Sequence, residues 1–402
     1  MKLRMLFVSP EFPWPPVGGG SLRTRSLLRC LGAHFDIHCV TFAQVAPSQK
    51  DMEALHCYAA QITVLPLRFH RRTTLQRYAR NIGRALRFVS PLVDRFSEPD
   101  VRRALRALLE ERVDWVWLEH LWLAPYVPSV RHSATKVMDV HNVESDFYRQ
   151  FRKASRDLLH RLGYFVFEQA AGRIERQYLR FFDRILAVSE EDRQLLARHC
   201  PSEKIFVVPN AVNVLPLPTE EDTTGQILYF AGRLDYPPNR DAVLWFYRWV
   251  WPVIRSRLPE ARWWIVGAYP ELLGKEVLQD SHIVLAGQVE KTEPYLRPSS
   301  VAIVPLRVGG GTRFKILEAW AAGKSVISTA KGAEGLAAHH GENIWIADGP
   351  EEFSGAVLRL LSDASLRARL GRKGWETVQE HYSSECLRER VEAILLAGSR
   401  AS

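Results

Sequence analysis

Three glycines, two cations and a carboxylate follow one another in GGGTRFKILEAW, residues 309–320. Glycine lets backbone approach a ligand closely, and the first turn of a helix presents unpaired N–H groups with a partial positive charge. The stretch is therefore suited to an anion. Arg313 and Lys315 strengthen that reading, because the helix dipole disfavours cations at a helix start; they are placed for a ligand rather than for the helix. A flexible turn that binds nothing is the alternative.

The elements around it say how the glycines are held. VAIVPL (301–306) before them and AAGKSVIST (321–329) after them read as buried strands, so the glycines mark a strand-to-helix turn. The same alternation runs through the chain. LRMLFVS is followed by a helix near 21–33, then DIHCVTF, and further strands are expected at QITVLPL, WVWLEH, KVMDVH, RILAVS and KIFVVPN. After NVLPLPTEEDTTG it resumes with QILYFAG, ARWWIVG, HIVLAG, SVAIVPL, KSVIST and NIWIAD. Alternation of this kind predicts an α/β protein with two parallel sheets, each covered by helices. The expected division is 1–212, a Pro- and acid-rich linker at 213–225, a second domain at 226–380, and a C-terminal helix at 381–402 that packs back on the first domain.

Open parallel sheets bind ligands beyond the carboxyl ends of their strands. The segments there are PEFPWPPVGGGS, EHLW, DVHNVES, VSEED, VPNAVN, AGRLDYPPN, VGAYP, AGQVE and GGGTRFK. Gly18 to Gly20 come about ten residues after the first strand, too late for the dinucleotide fingerprint, and no acid closes the second strand. The phosphate-binding pattern G-x-x-x-x-G-K-[ST] does not occur, and no D-x-D pair stands ready to hold a metal with a diphosphate. Arginines and backbone N–H groups must neutralise any diphosphate bound here.

At 402 residues the chain exceeds a single core, and 47% hydrophobic and 25% charged content is ordinary for a globular protein. No run approaches the roughly 18 apolar residues of a membrane span, and MKLRMLFVSPEF reads as a first strand rather than a signal peptide. Five scattered cysteines with no C-x-x-C suggest free thiols and a cytoplasmic protein. The net charge of +9 is uneven: residues 1–215 hold 32 Lys and Arg against 22 Asp and Glu, and the remainder 22 against 23. Its densest part is 68–88, with seven arginines and no acid. That stretch is either a solvated helix face or a surface for an anionic membrane or acidic acceptor, placing the protein at the inner face of the membrane. No nucleic-acid motif accompanies the charge.

GGGTRFKILEAWAAGKSVISTAKGAEGL, FAGRLDYPPNRDAVLWF, VGAYP, VEKTEPYL, VPNAVN and VSPEFPWPPVGGGSLR together resemble the family 4 glycosyltransferases, and in particular bacterial sugar transferases of exopolysaccharide synthesis. The resemblance covers nearly the whole chain. It implies the GT-B fold, two Rossmann-like domains facing each other across a cleft. It also implies retaining transfer of a sugar from a nucleotide diphosphate sugar, held by the C-terminal domain, to a glycan, lipid-linked or small-molecule acceptor held by the N-terminal domain. No metal and no cofactor are expected.

The site residues follow from the same resemblance. Glu318 matches the carboxylate that binds the ribose, and a face shared by Gly311, Lys315 and Glu318 is consistent with it; a surface pair with Lys315 is the alternative. Arg233 matches the diphosphate arginine. The lysine expected after it falls on Pro238 or Asn239, so Arg313, Lys315 or Arg240 is left to supply that charge. A carboxylate usual eight residues before Glu318 is here Gly310. His141 matches a histidine held against the donor sugar, or else is a cap for the next helix. Gly19 and Gly20 match a loop that closes on the diphosphate. Gly267, Val289, Gly310, Gly311 and Thr312 complete the expected donor site, and Glu119, His120 and Glu144 are candidates for the acceptor. Catalysis is expected from His141, Arg233 and Arg313. A phosphorylase, an epimerase or a non-catalytic nucleotide-sugar-binding partner remains open as a rival.

Overall fold

Where aliphatic and aromatic residues run unbroken, the chain forms strands with both faces covered, as a parallel sheet under helices requires. The structure, a computed structural model, describes residues 2–16, 18–67, 74–155, 157–218, 225–310 and 313–396. It divides into two units: Met1–Pro209 with the segment from Arg388 onward, and Asn210–Leu387.

In the first unit the strands are β1 (Leu3–Ser9), β2 (Phe35–Ala43), β3 (Gln61–Pro66), β4 (Trp115–Glu119), β5 (Thr135–Val140), β6 (Arg184–Ala187) and β7 (Ile205–Val207). All pair in parallel, in the order β3-β2-β1-β4-β5-β6-β7. The chain builds outward from β1 on one side and then returns to build from β4 on the other. Between β1 and β4 the helices diverge, and a ligand crevice opens at such a point.

The second unit repeats the plan with β8 (Ile227–Ala231), β9 (Arg262–Val266), β10 (Ile283–Gly287), β11 (Val301–Val304), β12 (Ser325–Ser328) and β13 (Trp345–Ile346). Their order is β10-β9-β8-β11-β12-β13, again parallel, with its switch point between β8 and β11. Trp251, Trp263, Trp320 and Phe246 are buried in its core.

Part of the stretch expected to be a linker is packed. Val212 bridges Ser383, Leu215 N–H donates to the Ala321 carbonyl at 3.0 Å, and Trp375 Nε1 donates to the Leu215 carbonyl at 2.7 Å. The apolar residues Val212, Val214 and Leu215 lie against the second core, so burial overrides the local proline signal. Residues 219–224 fall outside the described residues. Among those described, no helix is long and apolar enough to cross a membrane.

The helix Phe314–Ala321 is clamped from behind by the helix Ala364–His381, which fixes the side chains of its other face. Trp320 is fully buried between them, its Nε1 donating to the Asn343 carbonyl at 2.8 Å. A Cβ at Gly374 would stand 2.2 Å from Trp320 Cδ1. Gly to Ala inside a helix normally gains roughly 0.5–1 kcal/mol; here Gly374→Ala is expected to lose about 1–3 kcal/mol by overpacking. Urea denaturation reads the sign directly, and a raised midpoint would contradict the packing described.

Candidate active site

The second unit gathers its candidates at the β8/β11 switch point. Arg233 follows β8 directly and its guanidinium forks Asp235, with Nε–Oδ1 3.1 Å and Nη2–Oδ2 2.7 Å. Both groups are exposed, and an exposed pair of this kind is worth only about 0–1 kcal/mol, so it opens easily. Asn239, buried in the next helix, donates through Nδ2 to the Arg233 carbonyl at 2.8 Å and accepts from Lys315 Nζ at 2.6 Å. One amide thus ties the loop after β8 to the helix after β11. Lys315 Nζ also lies 4.6 Å from the centroid of the Phe230 ring.

Burial, with Arg313 nearby, pushes the Lys315 ammonium down to about 7. Burial pushes the Glu318 carboxyl up to about 7, with Lys315 opposing. No ion pair joins the two among the described residues. The Glu318 carboxylate makes no hydrogen bond among those residues either.

Several expectations about this stretch are corrected. The helix begins at Phe314, with Arg313 as its N-cap, not in the glycine turn. The connection from β11 spans nine residues, 305–313, because Gly309 at φ 128° and an extended Arg313 delay the helix. Only Lys315 and Glu318 therefore share a helix face, while Gly311 and Thr312 lie outside the described residues. Arg313 is buried and folds back to donate to the Gly310 carbonyl. At Gly267 a close approach of two loops dictates the residue: a Cβ there would meet the Gly232 carbonyl oxygen at 2.1 Å, and φ is 156°. Val289 packs partly buried against the core.

At the switch point of the first unit, charged side chains converge beneath the ends of β1, β4 and β5. Arg23 forks Asp139 (Nε–Oδ2 2.8 Å, Nη2–Oδ1 2.6 Å) and donates from Nη1 to the Val208 carbonyl at 2.8 Å. His141 Nε2 lies 3.1 Å from Asp139 Oδ2 and 3.6 Å from Glu119 Oε1. Thr24 Oγ1 donates to Glu119 Oε2 at 2.7 Å. The His120 ring sits between Trp122 and His141, at centroid distances of 4.1 and 3.7 Å. All of these but Trp122 are buried.

Burial works against charge on His141, but Asp139 and Glu119 outweigh it and raise the ring to about 9. Burial and the His141 cation push His120 well below its usual value, so it is neutral. Burial likewise resists ionisation of Asp139, yet Arg23 and His141 hold it below the usual carboxylate range. Glu144 is buried and accepts from Trp122 Nε1 at 2.9 Å; burial pushes it up to about 7. Glu119, Asp139 and His141 each bring one metal-ligand type of atom within 4.8 Å of the others. Arg23 already occupies both Asp139 oxygens and supplies the cation there.

Gly19 and Gly20 are not in a loop. Gly18, at φ 120°, caps a helix that starts at Gly19, two residues earlier than expected. A Cβ at Gly20 would lie 3.7 Å from His120 Nε2 and 3.8 Å from His141 Nδ1, so this helix start rests on the two rings. Nor does His141 cap the next helix, whose N-cap is Val143.

Two families of known domains match the chain: "Glycosyltransferase Family 4" over residues 17–214 and "Glycosyl transferases group 1" over residues 225–363. Between them they cover well over half of its length. The chain belongs to this glycosyltransferase family. It is similar to an uncharacterized 44.6 kDa protein in the cps region of Klebsiella pneumoniae, 23% identical over 71% of this chain and 75% of that protein. The lipopolysaccharide core biosynthesis glycosyltransferase LpsE of Rhizobium meliloti is 30% identical over 35% of this chain and 43% of that protein. Anabaena HepE, solved in complex with UDP and glucose, shares the fold at a TM-score of 0.70 and 11% identity, over 98% of this chain and 100% of that one. The fold expected from the sequence, GT-B, is thereby found, and the glycosyltransferase is an enzyme of the hexosyl-transferring class.

What sequence reading missed in the glycosyltransferase is the set of groups behind the candidates: Arg23, Thr24, Asp139 and Trp122. One signal was available, an aspartate inside the apolar run KVMDV. The raised pKa of His141 has a consequence for stability. A group whose folded pKa exceeds its unfolded value near 6.5 contributes fully below about pH 6.5 and loses that contribution as pH rises through 9. The stability difference between wild type and His141→Asn is expected to shrink by on the order of 3 kcal/mol from pH 6 to pH 10. Guanidinium denaturation across that range measures it, and a pH-independent difference would count against a charged His141.

Proposed function

We propose that the protein moves a hexose from a nucleotide diphosphate sugar to a hydroxyl of a glycan or lipid-linked acceptor, with retention at the anomeric carbon and without a metal. The observation that carries this reading is the link Arg233–Asn239–Lys315 at the second switch point, with Glu318 one turn further along the same helix. In this reading Arg233 leaves Asp235 for the diphosphate, Lys315 supplies the charge that a lysine at 238 or 239 would have given, and Glu318 accepts from the ribose hydroxyls. Gly310 and Gly311 bring backbone to the phosphates, and Arg313 organises that backbone through the Gly310 carbonyl.

The acceptor oxygen attacks the anomeric carbon as the bond to the diphosphate oxygen breaks on the same face, and the departing diphosphate takes the acceptor proton. The protein contributes positioning and fixed positive charge where negative charge develops. His141, held as a cation by Asp139 and Glu119, is the first unit's charged contribution, and residues 68–88 are the part proposed to meet an anionic membrane. UDP is the first nucleotide to try, because HepE holds it.

The test is thermal stabilisation by UDP, GDP, ADP, TDP and NAD, each with and without EDTA. One nucleoside diphosphate is expected to stabilise equally in both conditions. Stabilisation by NAD alone, or its loss in EDTA, would contradict the proposal. Glu318→Ala is expected to weaken the stabilising nucleotide about tenfold or more by calorimetry, the worth of a hydrogen bond to a charged group. Unchanged affinity would remove Glu318 from the ribose.

A further inference from the structure

Three residues other than glycine lie at positive φ among those described: Phe88 at 55°, His120 at 61° and Tyr269 at 66°. A bulky side chain is strained there and persists only where the surrounding structure holds it. Two of the three have such a holder. Phe88 follows the helix Thr74–Leu86 in the left-handed position that helix ends use, with Val89 N–H donating to the Arg84 carbonyl at 3.0 Å. His120 is buried between Trp122 and His141. Tyr269 opens a short helical turn (Pro270–Leu273) instead of closing a helix, and it is 46% exposed. It also precedes Pro270, whose ring pushes the residue before it toward extended backbone. Its φ of 66° and ψ of 45° are thus opposed by its own side chain and by its neighbour, where a glycine would sit without strain.

The strained backbone puts the ring beside Arg233. Past the ends of β8 and β9 the two loops stay paired, since Gly232 N–H donates to the Val266 carbonyl at 2.9 Å and Leu234 N–H to the Ala268 carbonyl at 3.0 Å. Gly267 packs on the Gly232 carbonyl between those bonds. Arg233 Cζ then lies 5.8 Å from the centroid of the Tyr269 ring. The Tyr269 hydroxyl makes no hydrogen bond among the described residues, so the ring and not the hydroxyl is the part in use. A guanidinium over an aromatic face is attracted by the ring and still has N–H groups to offer an anion. We propose that Tyr269 is a positioning residue, which holds the Arg233 guanidinium over its ring while the diphosphate of the donor takes the place of Asp235. The arginine then meets the leaving group already oriented, at the expense of local strain. This inference rests on the reading of Arg233 as the diphosphate arginine and adds a residue to that site.

Steady-state kinetics with UDP-glucose as donor, together with urea unfolding of the full chain, test it. Tyr269→Gly is expected to lower kcat about 3- to 30-fold, the span of a cation–π contact from exposed to desolvated. Its urea midpoint is expected to stay at or above that of wild type, because glycine relieves the left-handed strain. Tyr269→Phe is expected to restore turnover. Added to Arg233→Ala, the glycine variant is expected to cost nothing further, as two groups acting as one require. A urea midpoint below that of wild type in Tyr269→Gly would make the residue structural and overturn the inference, whatever the donor. So would a phenylalanine variant as slow as the glycine one, or losses that add in the double variant. Wild-type kcat in Tyr269→Gly beside a slowed Arg233→Ala would sink this inference alone and leave the reading of Arg233 standing. Wild-type kcat in both would remove Arg233 from the diphosphate and the role of Tyr269 with it.

Discussion

Arg233→Ala is expected to lower kcat with a UDP-sugar donor about 100-fold, the scale lost when one preorganised charge is removed from a developing anion. Three features argue for it. Arg233 stands directly after β8 at the switch point, where the parallel strands aim their carboxyl ends at a ligand. Its backbone is fixed, since Asn239 binds its carbonyl and Gly267 lets the neighbouring loop pack on the Gly232 carbonyl. Its pair with Asp235 is exposed and costs little to break. Steady-state kinetics with saturating donor measures the effect. If the role is charge on the leaving diphosphate, kcat falls more than donor affinity; wild-type turnover in the variant would remove Arg233 from the mechanism.

Arg23→Ala is expected to destabilise the protein by about 3–5 kcal/mol, because it strands Asp139 as a buried charge without its main partner. Arg23 and Asp139 are both buried, and the guanidinium also satisfies the Val208 carbonyl, so the bonds to both partners disappear together. Arg23→Lys is expected to recover little, since an ammonium cannot reproduce the fork. Urea unfolding gives the value. A loss under about 1 kcal/mol, the ceiling of an exposed pair, would mean that the cluster is open to water.

The plan of the molecule was readable because unbroken apolar runs such as LRMLFVS and VAIVPL, each followed by a helix, leave few alternatives to parallel sheets under helices. In the stretch at 309–320 the glycines signalled a turn between strand and helix, but the helix start did not follow from them, because Arg313 folds back on the Gly310 carbonyl and the helix begins only at Phe314. Local signals failed where distant packing decides. Gly18 starts its helix earlier than the following residues suggest, because that helix rests on His120 and His141, a hundred residues away in sequence. Asp139 was hidden because it lies in strand β5 and its partner, Arg23, on the helix that starts at Gly19, more than a hundred residues away, and Asn239 because Lys315 meets it only when β8 and β11 are neighbours. The proline-rich stretch from 213 looked like a linker, yet Val214 and Leu215 find an apolar surface to cover.

The proposed transfer retains configuration and is supported by protein charge alone. Proton NMR of the product formed from a UDP-α-hexose in the presence of EDTA addresses it most directly, with a short-chain alcohol or water as acceptor. The first sugar product is expected to carry the α configuration and to form at the same rate with and without EDTA. A β product, or turnover that requires an added divalent cation, would contradict it.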